Sequence, residues 1–367
     1  MKSTSKRIII SGGGTGGHIF PAIAIANALK KLDPDTEILF VGAKGRMEME
    51  RVPAAGYKII GLDIQGIQRK SILKNLMLPF KLLGSIMKSM RIIKDFKADA
   101  AVGVGGYASG SLLYAASWKN VPYLIQEQNS YAGITNKKLG KKARKICVAF
   151  DGMGQFFPAD KIIKTGNPVR KNSVDIKGKE GEAFKEFKLS PDKKTILVIG
   201  GSLGARTLNE SVLAGMDQLT AADVQVIWQT GKNYYAGIID TLGKKLHANI
   251  RVMEFLNRMD LAYAAADVII SRAGAGTIAE LCVVGKPVIL VPSPNVAEDH
   301  QTKNAQSLVK EHACKFIADK DSVQTLIASA IALLNDKEKQ KILSANIGKL
   351  ALPNADEVIA KQVLEIS

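Results

Sequence analysis

Cysteine is scarce: Cys147, Cys282 and Cys314 are the only three in 367 residues. Thiols so few and so scattered exclude a disulfide framework and lack the paired spacing of a zinc site. Cys147 and Cys282 lie in or beside apolar stretches and read as small core residues. Long apolar runs are missing as well. No segment approaches the ~20 uninterrupted apolar residues that span a bilayer. The N-terminal run ends at Ser11-Gly12 after three isoleucines, well short of a signal peptide's core. Both absences lead us to expect a cytoplasmic chain. Acidic residues are the third shortage, with 34 Asp and Glu against 51 Lys and Arg and a formal net charge of +17. Disorder is excluded by a hydrophobic fraction of 46%, and the length suits two domains better than one core.

The basic excess is localised. From Ile67 to Lys97 the chain carries Arg69, Lys70, Lys74, Lys81, Lys88, Arg91, Lys94 and Lys97 against the single acid Asp95. Lys137, Lys138, Lys141, Lys142, Arg144 and Lys145 form a second cluster. Within the first, Leu76, Phe80, Leu83, Met87 and Met90 recur at helical spacing, and Leu73, Met77, Leu78, Leu82 and Ile86 widen that face. A stretch of this kind suits the surface of an anionic membrane, with its apolar side in the headgroup layer. The competing reading is a core helix with a solvated basic rim. Nucleic acid is not expected as a partner, because the segment holds one aromatic, Phe80, and no recognisable binding motif.

Two glycine-rich turns each follow an apolar strand and open a helix. Arg7–Ser11 runs into Gly12-Gly13-Gly14-Thr15-Gly16-Gly17-His18, and Thr195–Ile199 into Gly200-Gly201-Ser202-Leu203-Gly204-Ala205-Arg206. Such turns let backbone N–H groups approach an anion and aim a helix N-terminus at it. A helix and a second apolar strand follow each, giving a βαβ unit at the head of each half. Further strands at 100–104, 122–125 and 146–149, then at 267–270 and 287–291, predict two doubly wound α/β domains facing one another.

Neither turn fits the commonest nucleotide sites. The second strands end in Val41-Gly42-Ala43 and Trp228-Gln229-Thr230, without the acid that holds a dinucleotide's ribose, and no Gly-Lys-Ser/Thr follows either glycine turn. The Asp-x-Asp pairs that could hold a divalent ion, Asp33-Pro34-Asp35 and Asp319-Lys320-Asp321, read as turns or caps. A third turn, Ser271–Glu280, follows another strand. Its small residues allow close backbone approach, and its helix carries Glu280 where a carboxylate can accept hydrogen bonds from both ribose hydroxyls.

Taken in order, these motifs resemble the MurG family, bacterial transferases that move N-acetylglucosamine from UDP-N-acetylglucosamine (UDP-GlcNAc) to lipid I, forming lipid II for peptidoglycan. The carriers are the Gly12–His18 turn, Gly105-Gly106-Tyr107, Glu127-Gln128-Asn129, Gly166-Asn167-Pro168-Val169-Arg170, Gly200–Ala205, Ser271–Glu280, and His300-Gln301 with Asn304-Ala305. The resemblance implies a GT-B fold, two Rossmann-like domains across a cleft. Residues 1–167 plus about 350–367 would form the acceptor and membrane domain and 168–349 the donor domain, with a hinge near Asn167-Pro168. It also implies that Glu280 holds the ribose, that the backbone at Leu256 meets the uracil, and that Arg170 and Ser202 lie near the nucleotide and diphosphate. Ala275, Gly276, Thr277, Ile278 and Ala279 line the phosphate turn, where the family often has a bulkier residue at Gly276. Gln301 and Asn129 hold the sugar, bordered by Thr15, Gly16 and Gly17. Gly13, Gly14 and Tyr107 stand on the acceptor side.

The implied chemistry is in-line displacement of UDP by the acceptor's 4-hydroxyl, with inversion to a β-1,4 bond. His18, with an unperturbed pKa of ~6.5, is the candidate base; its other reading is a ring that hydrogen-bonds a carbonyl and shapes the turn. Helix-terminal N–H groups and Arg170 would stabilise the leaving diphosphate, so no metal and no cofactor is expected. Expected partners are UDP-GlcNAc, undecaprenyl-linked lipid I, the anionic inner leaflet at the cytoplasmic face, and cell-wall and division proteins. Leu76, Phe80, Leu83, Met87, Lys74, Lys81 and Lys88 are the membrane-surface candidates. Two rival readings remain: a soluble UDP-GlcNAc 2-epimerase of the same fold, and a non-catalytic membrane scaffold that binds the nucleotide sugar.

Overall fold

A computed structural model of the chain describes residues 5–64, 77–243 and 246–367. It divides into two compact units, Met1–Val169 with Pro353–Ser367, and Arg170–Leu352. The sequence reading put these boundaries at 167/168 and near 350.

The first unit is built on seven parallel strands: β1 (Arg7–Gly12), β2 (Glu37–Ala43), β3 (Lys58–Leu62), β4 (Ala100–Gly105), β5 (Tyr123–Glu127), β6 (Lys145–Val148) and β7 (Ile162–Lys164). Their order in the sheet is β3-β2-β1-β4-β5-β6-β7. The sheet reverses direction of growth between β1 and β4, which is where a doubly wound fold leaves a crevice at the strands' C-terminal ends. Both faces are covered. Ile9 packs with Val41, Ala101, Leu112 and Ile125 on one side, and Ile8 and Ile10 pack with Ile19, Phe40, Val102 and Leu124 on the other. Successive side chains of a strand point to opposite faces, so a strand covered twice reads as an unbroken apolar run. Helix Ala355–Ile366 returns from the far end of the chain and lays Ile359, Ala360 and Val363 into the second of these cores.

The second unit repeats the plan with six parallel strands: β8 (Thr195–Ile199), β9 (Gln225–Gln229), β10 (Ile250–Met253), β11 (Val268–Ser271), β12 (Val288–Leu290) and β13 (Lys315–Phe316). The order is β10-β9-β8-β11-β12-β13, with its own switch point between β8 and β11. Trp228 is fully buried on β9, and its indole N–H is satisfied by Asn209 Oδ1 at 2.9 Å. All three cysteines are buried and unpaired; burial pushes the Cys147 and Cys282 thiols up to about 12, far from reactive thiolates. Among the described residues no helix is long and apolar enough to cross a membrane.

Candidate functional site

In the first unit the glycine turn after β1 is pressed against the glycines that end β4. Gly13 N–H donates to the Gly105 carbonyl at 3.2 Å, and a Cβ on Gly106 would lie 2.4 Å from the Gly13 oxygen. Gly105 and Gly106 also have φ of 109° and 90°, a region costly for residues with a side chain. The absent Cβ of Gly105 leaves the seat of the His18 ring, since an added carbon would stand 2.6 Å from His18 Cδ2. His18 Nδ1 donates to the Gly13 carbonyl at 3.0 Å. The ring thus does bond a carbonyl and shape the turn, and that bond fixes the neutral tautomer in which Nε2 is the basic nitrogen.

Glu48 is the group that sequence reasoning missed here. It is buried, and its oxygens accept the N–H groups of Ala43 at 3.0 Å and Gly14 at 2.9 Å. A Cβ at Gly13 would sit 2.2 Å from Glu48 Oε1, so the carboxylate reaches the turn only because that residue is glycine. Nothing in the sequence links positions so far apart. Thr15, Gly16 and Gly17 open helix Gly16–Leu32 at the turn's outer side, with Gly14, Thr15 and Gly17 exposed.

At the end of β5, Glu127 organises the loop that carries Asn129. Its oxygens accept Asn129 N–H at 3.1 Å, Gly133 N–H at 3.3 Å and Asn136 Nδ2 at 2.8 Å. Burial still pushes its carboxyl above the ordinary range, against the pull of those donors. Tyr107 begins helix Tyr107–Trp118 and is exposed. Asn167 accepts from Gln126 Nε2 at 2.8 Å and donates to the Gln128 carbonyl at 3.0 Å, which ties the chain before Arg170 to the loop after β5.

In the second unit the turn after β8 is fixed from β9. Gln229 Nε2 donates to the Gly201 carbonyl at 2.9 Å, while its Oε1 accepts Leu256 N–H at 3.2 Å. One amide thus sets both the glycine turn and the segment expected to meet the uracil, and leaves the Leu256 N–H already engaged. Ser202 is exposed on the turn. Arg206 points to solvent and pairs with Glu210 at 3.7 Å, one helical turn on.

The turn after β11 opens helix Ala275–Val284, so Ala275, Gly276 and Thr277 occupy its positive end. A Cβ at Gly276 would meet nothing within 4 Å, so a bulkier residue would fit there. Ile278 is buried and Ala279 half-buried in the second turn, which brings Glu280 inward. Glu280 Oε1 accepts from Arg170 Nε at 3.3 Å, and Oε2 from the hydroxyl of Tyr263, also at 3.3 Å. Burial raises the Glu280 carboxyl above its usual value; Arg170 and Tyr263 pull the other way and do not cancel it.

Arg272 anchors the same turn to its neighbours. Its guanidinium donates to the carbonyls of Val291 at 3.0 Å and Pro292 at 3.2 Å and pairs with Asp319, whose other oxygen accepts Thr207 Oγ1 at 3.0 Å. Asp319, one of the Asp-x-Asp residues read as turn or cap, begins helix Asp319–Asn335 and is an arginine partner. Gln301 Oε1 accepts Ser293 N–H at 2.8 Å and closes the loop after β12. Among the described residues no three His, Cys, Asp or Glu side chains converge on one point.

Of the membrane candidates, Lys74 and Leu76 lie outside the described residues. Helix Leu78–Phe96 carries the others, and Phe80, Leu83 and Met87 are 69%, 53% and 56% exposed. Met90, assigned to the same stripe, instead packs on the core beside Ile86 and Ile93. Lys81 stands 3.8 Å from Asp63, and Lys88 donates to the Gly61 carbonyl at 2.9 Å.

Two parallel-sheet domains with glycine turns at their switch points are the plan of the GT-B fold, and the family matches make the chain a glycosyltransferase of that fold. The chain matches the N-terminal domain of glycosyltransferase family 28 over residues 8–148 and its C-terminal domain over residues 195–362. Within that family it belongs with the MurG enzymes. It is 56% identical over 360 residues, 98% of each chain, to a Parabacteroides distasonis protein named UDP-N-acetylglucosamine–N-acetylmuramyl-(pentapeptide) pyrophosphoryl-undecaprenol N-acetylglucosamine transferase. The crystal structure of Acinetobacter baumannii MurG superposes with a TM-score of 0.79 at 30% identity, covering 98% of this chain and 99% of that one. A UDP-GlcNAc 2-epimerase from Neisseria meningitidis, with a TM-score of 0.68 at 16% identity over 98% of this chain and 100% of its own, shares the fold alone.

Proposed function

We infer that this chain transfers N-acetylglucosamine from UDP-GlcNAc to the 4-hydroxyl of the N-acetylmuramyl group in lipid I, with inversion, to give lipid II. The observation that carries this reading is kinship over 98% of the chain at 56% identity to a transferase of that name, whereas the epimerase shares only the backbone. The second unit binds the donor: Glu280 takes the ribose, the Leu256 segment the uracil, the helix end at Ala275–Thr277 with Arg170 and Ser202 the diphosphate, and Gln301 the sugar. In the first unit the family resemblance assigns Asn129, Thr15, Gly16 and Gly17 to the sugar, and Gly13, Gly14 and Tyr107 to the acceptor.

His18 Nε2 takes the proton as the acceptor oxygen attacks the anomeric carbon, its ring held by the Gly13 carbonyl and the space above Gly105. Charge developing on UDP falls on the helix end, which is fixed before the reaction begins, and on Arg170. That arrangement supplies what a divalent ion would otherwise supply, and we read the reaction as metal-independent. The enzyme works at the inner face of the cytoplasmic membrane, where the exposed apolar side chains and lysines of helix Leu78–Phe96 meet anionic headgroups.

The test is UDP release from UDP-GlcNAc with and without a lipid I analogue, in the presence of a chelator. Acceptor-dependent release that survives chelation is expected, falling at least a hundredfold in His18→Ala, the usual scale of a lost general base, with UDP affinity kept. Glu280→Ala should lose UDP affinity instead. Release without acceptor, or formation of free N-acetylmannosamine, would overturn the reading in favour of the epimerase.

A further inference from the structure

The ion pair between Arg170 and Glu280 joins two side chains that the donor is expected to engage through two different groups of its nucleotide, the diphosphate and the ribose. They satisfy each other at 3.3 Å. Exposure shows which partner is free to leave: the Arg170 side chain is 54% exposed and that of Glu280 14%. Tyr263, fully buried, holds the other carboxylate oxygen and stays in place when Arg170 departs. Arg170 also follows directly on the unit boundary and precedes the short helix Lys171–Val174, so its backbone is not inside a long rigid element. Resting on the donor reading above, we propose that the Arg170–Glu280 pair is a specificity lock, which a ligand opens at no net cost only if it brings both a ribose diol for the carboxylate and a diphosphate for the guanidinium.

A nucleoside breaks the pair and leaves the arginine without a counter-charge. A bare diphosphate draws the arginine away and strands a largely buried carboxylate, which is expensive to leave unpaired. UDP compensates both. Discrimination thus comes from the penalty on incomplete ligands as much as from contacts with the complete one. The reciprocity gives a signature that ordinary support of a binding pocket does not: removing one partner should tighten the incomplete ligand that uses the other.

The experiment measures dissociation constants of UDP, uridine and inorganic pyrophosphate for the full chain, by calorimetry for UDP and ligand-observed NMR for the weaker two. Arg170→Met should bind uridine about twofold to fivefold more tightly than wild type, the range of a half-exposed ion pair, and UDP about tenfold or more weakly. Glu280→Gln should show the mirror image, with pyrophosphate tightened and UDP weakened. Either variant alone suffices if the other fails to fold. Uridine unchanged or weakened in Arg170→Met, or pyrophosphate unchanged or weakened in Glu280→Gln, overturns the lock and leaves the donor site standing. A wild-type chain that binds no UDP overturns the donor reading and the lock together.

Discussion

At the scale of single residues, the side chains proposed to touch ligand were more legible than those that hold them in place. Glu280 could be read because strand, glycine turn and helix follow one another in the chain and fix its distance from the turn. Glu48 and Tyr263 could not, because the contacts that give them a role come from Gly14 and Glu280, 34 and 17 positions away. Glu48→Gln tests the first of these. An amide can accept from one of the two backbone N–H groups, but its NH2 then faces the other, leaving a buried donor unpaired at ~1–3 kcal/mol. We expect a lower Tm, transfer reduced about tenfold, and UDP affinity within about twofold of wild type, since the strain lies in the first unit. An equal loss of UDP affinity would sink the idea.

The raised Glu280 carboxyl makes a second prediction at the same scale. Ribose recognition needs the ionised form, and burial moves its protonation to a pH above the ordinary carboxylate value of ~4.3. The site is therefore intact above that raised value and is lost as pH falls through it. A kcat/KM profile in donor should show an acidic limb displaced upward, and Glu280→Gln should remove the limb along with most of the affinity.

At the scale of elements, helix Leu78–Phe96 shows where periodicity stops being enough. The sequence assigned one broad apolar face running to Met90, but the helix has two. Ile86, Ile92 and Ile93 go inward, and so do Ser85 and Ser89, which composition marks as polar. Their hydroxyls are satisfied locally, Ser89 by the Ser85 carbonyl at 2.8 Å and Ser85 by the Asp63 carbonyl at 3.2 Å, so small residues can line the packed side. The larger apolar residues Phe80, Leu83 and Met87 are left outside, an arrangement that folding alone does not reward. Replacing these three by serine should reduce binding to anionic vesicles about tenfold or more while UDP affinity and Tm stay near wild type. Unchanged vesicle binding would move the membrane contact elsewhere. A large fall in Tm would mean that the face packs within the protein.

At the scale of the whole molecule, each unit has its own sheet and its own core, yet the first is built from both ends of the chain. Its doubly wound plan was legible from the glycine turns and apolar runs, but the order of its strands came only with the structure, which puts the first strand in the middle of the sheet where a turn opens at the switch point. The return of the last helix was not legible from periodicity and came only with the family resemblance. Energetically the return is substantial, since Ile359 and Val363 are fully buried against helix Gly16–Leu32. That helix begins at the His18 turn, so weakening the C-terminal helix acts on the first unit's half of the chemistry through a single intervening element. Truncating both residues in Ile359→Ala/Val363→Ala should cost several kcal/mol, about 2–5 for the isoleucine alone. If the units unfold separately, a denaturant titration shows two steps, and only the step lost from β1–β7 moves to lower denaturant. Binding of UDP marks which step is which, because it stabilises the second unit selectively by mass action. Two steps that move together would instead mean that the last helix supports the cooperativity of the entire chain, and transfer and UDP affinity would then fall in parallel.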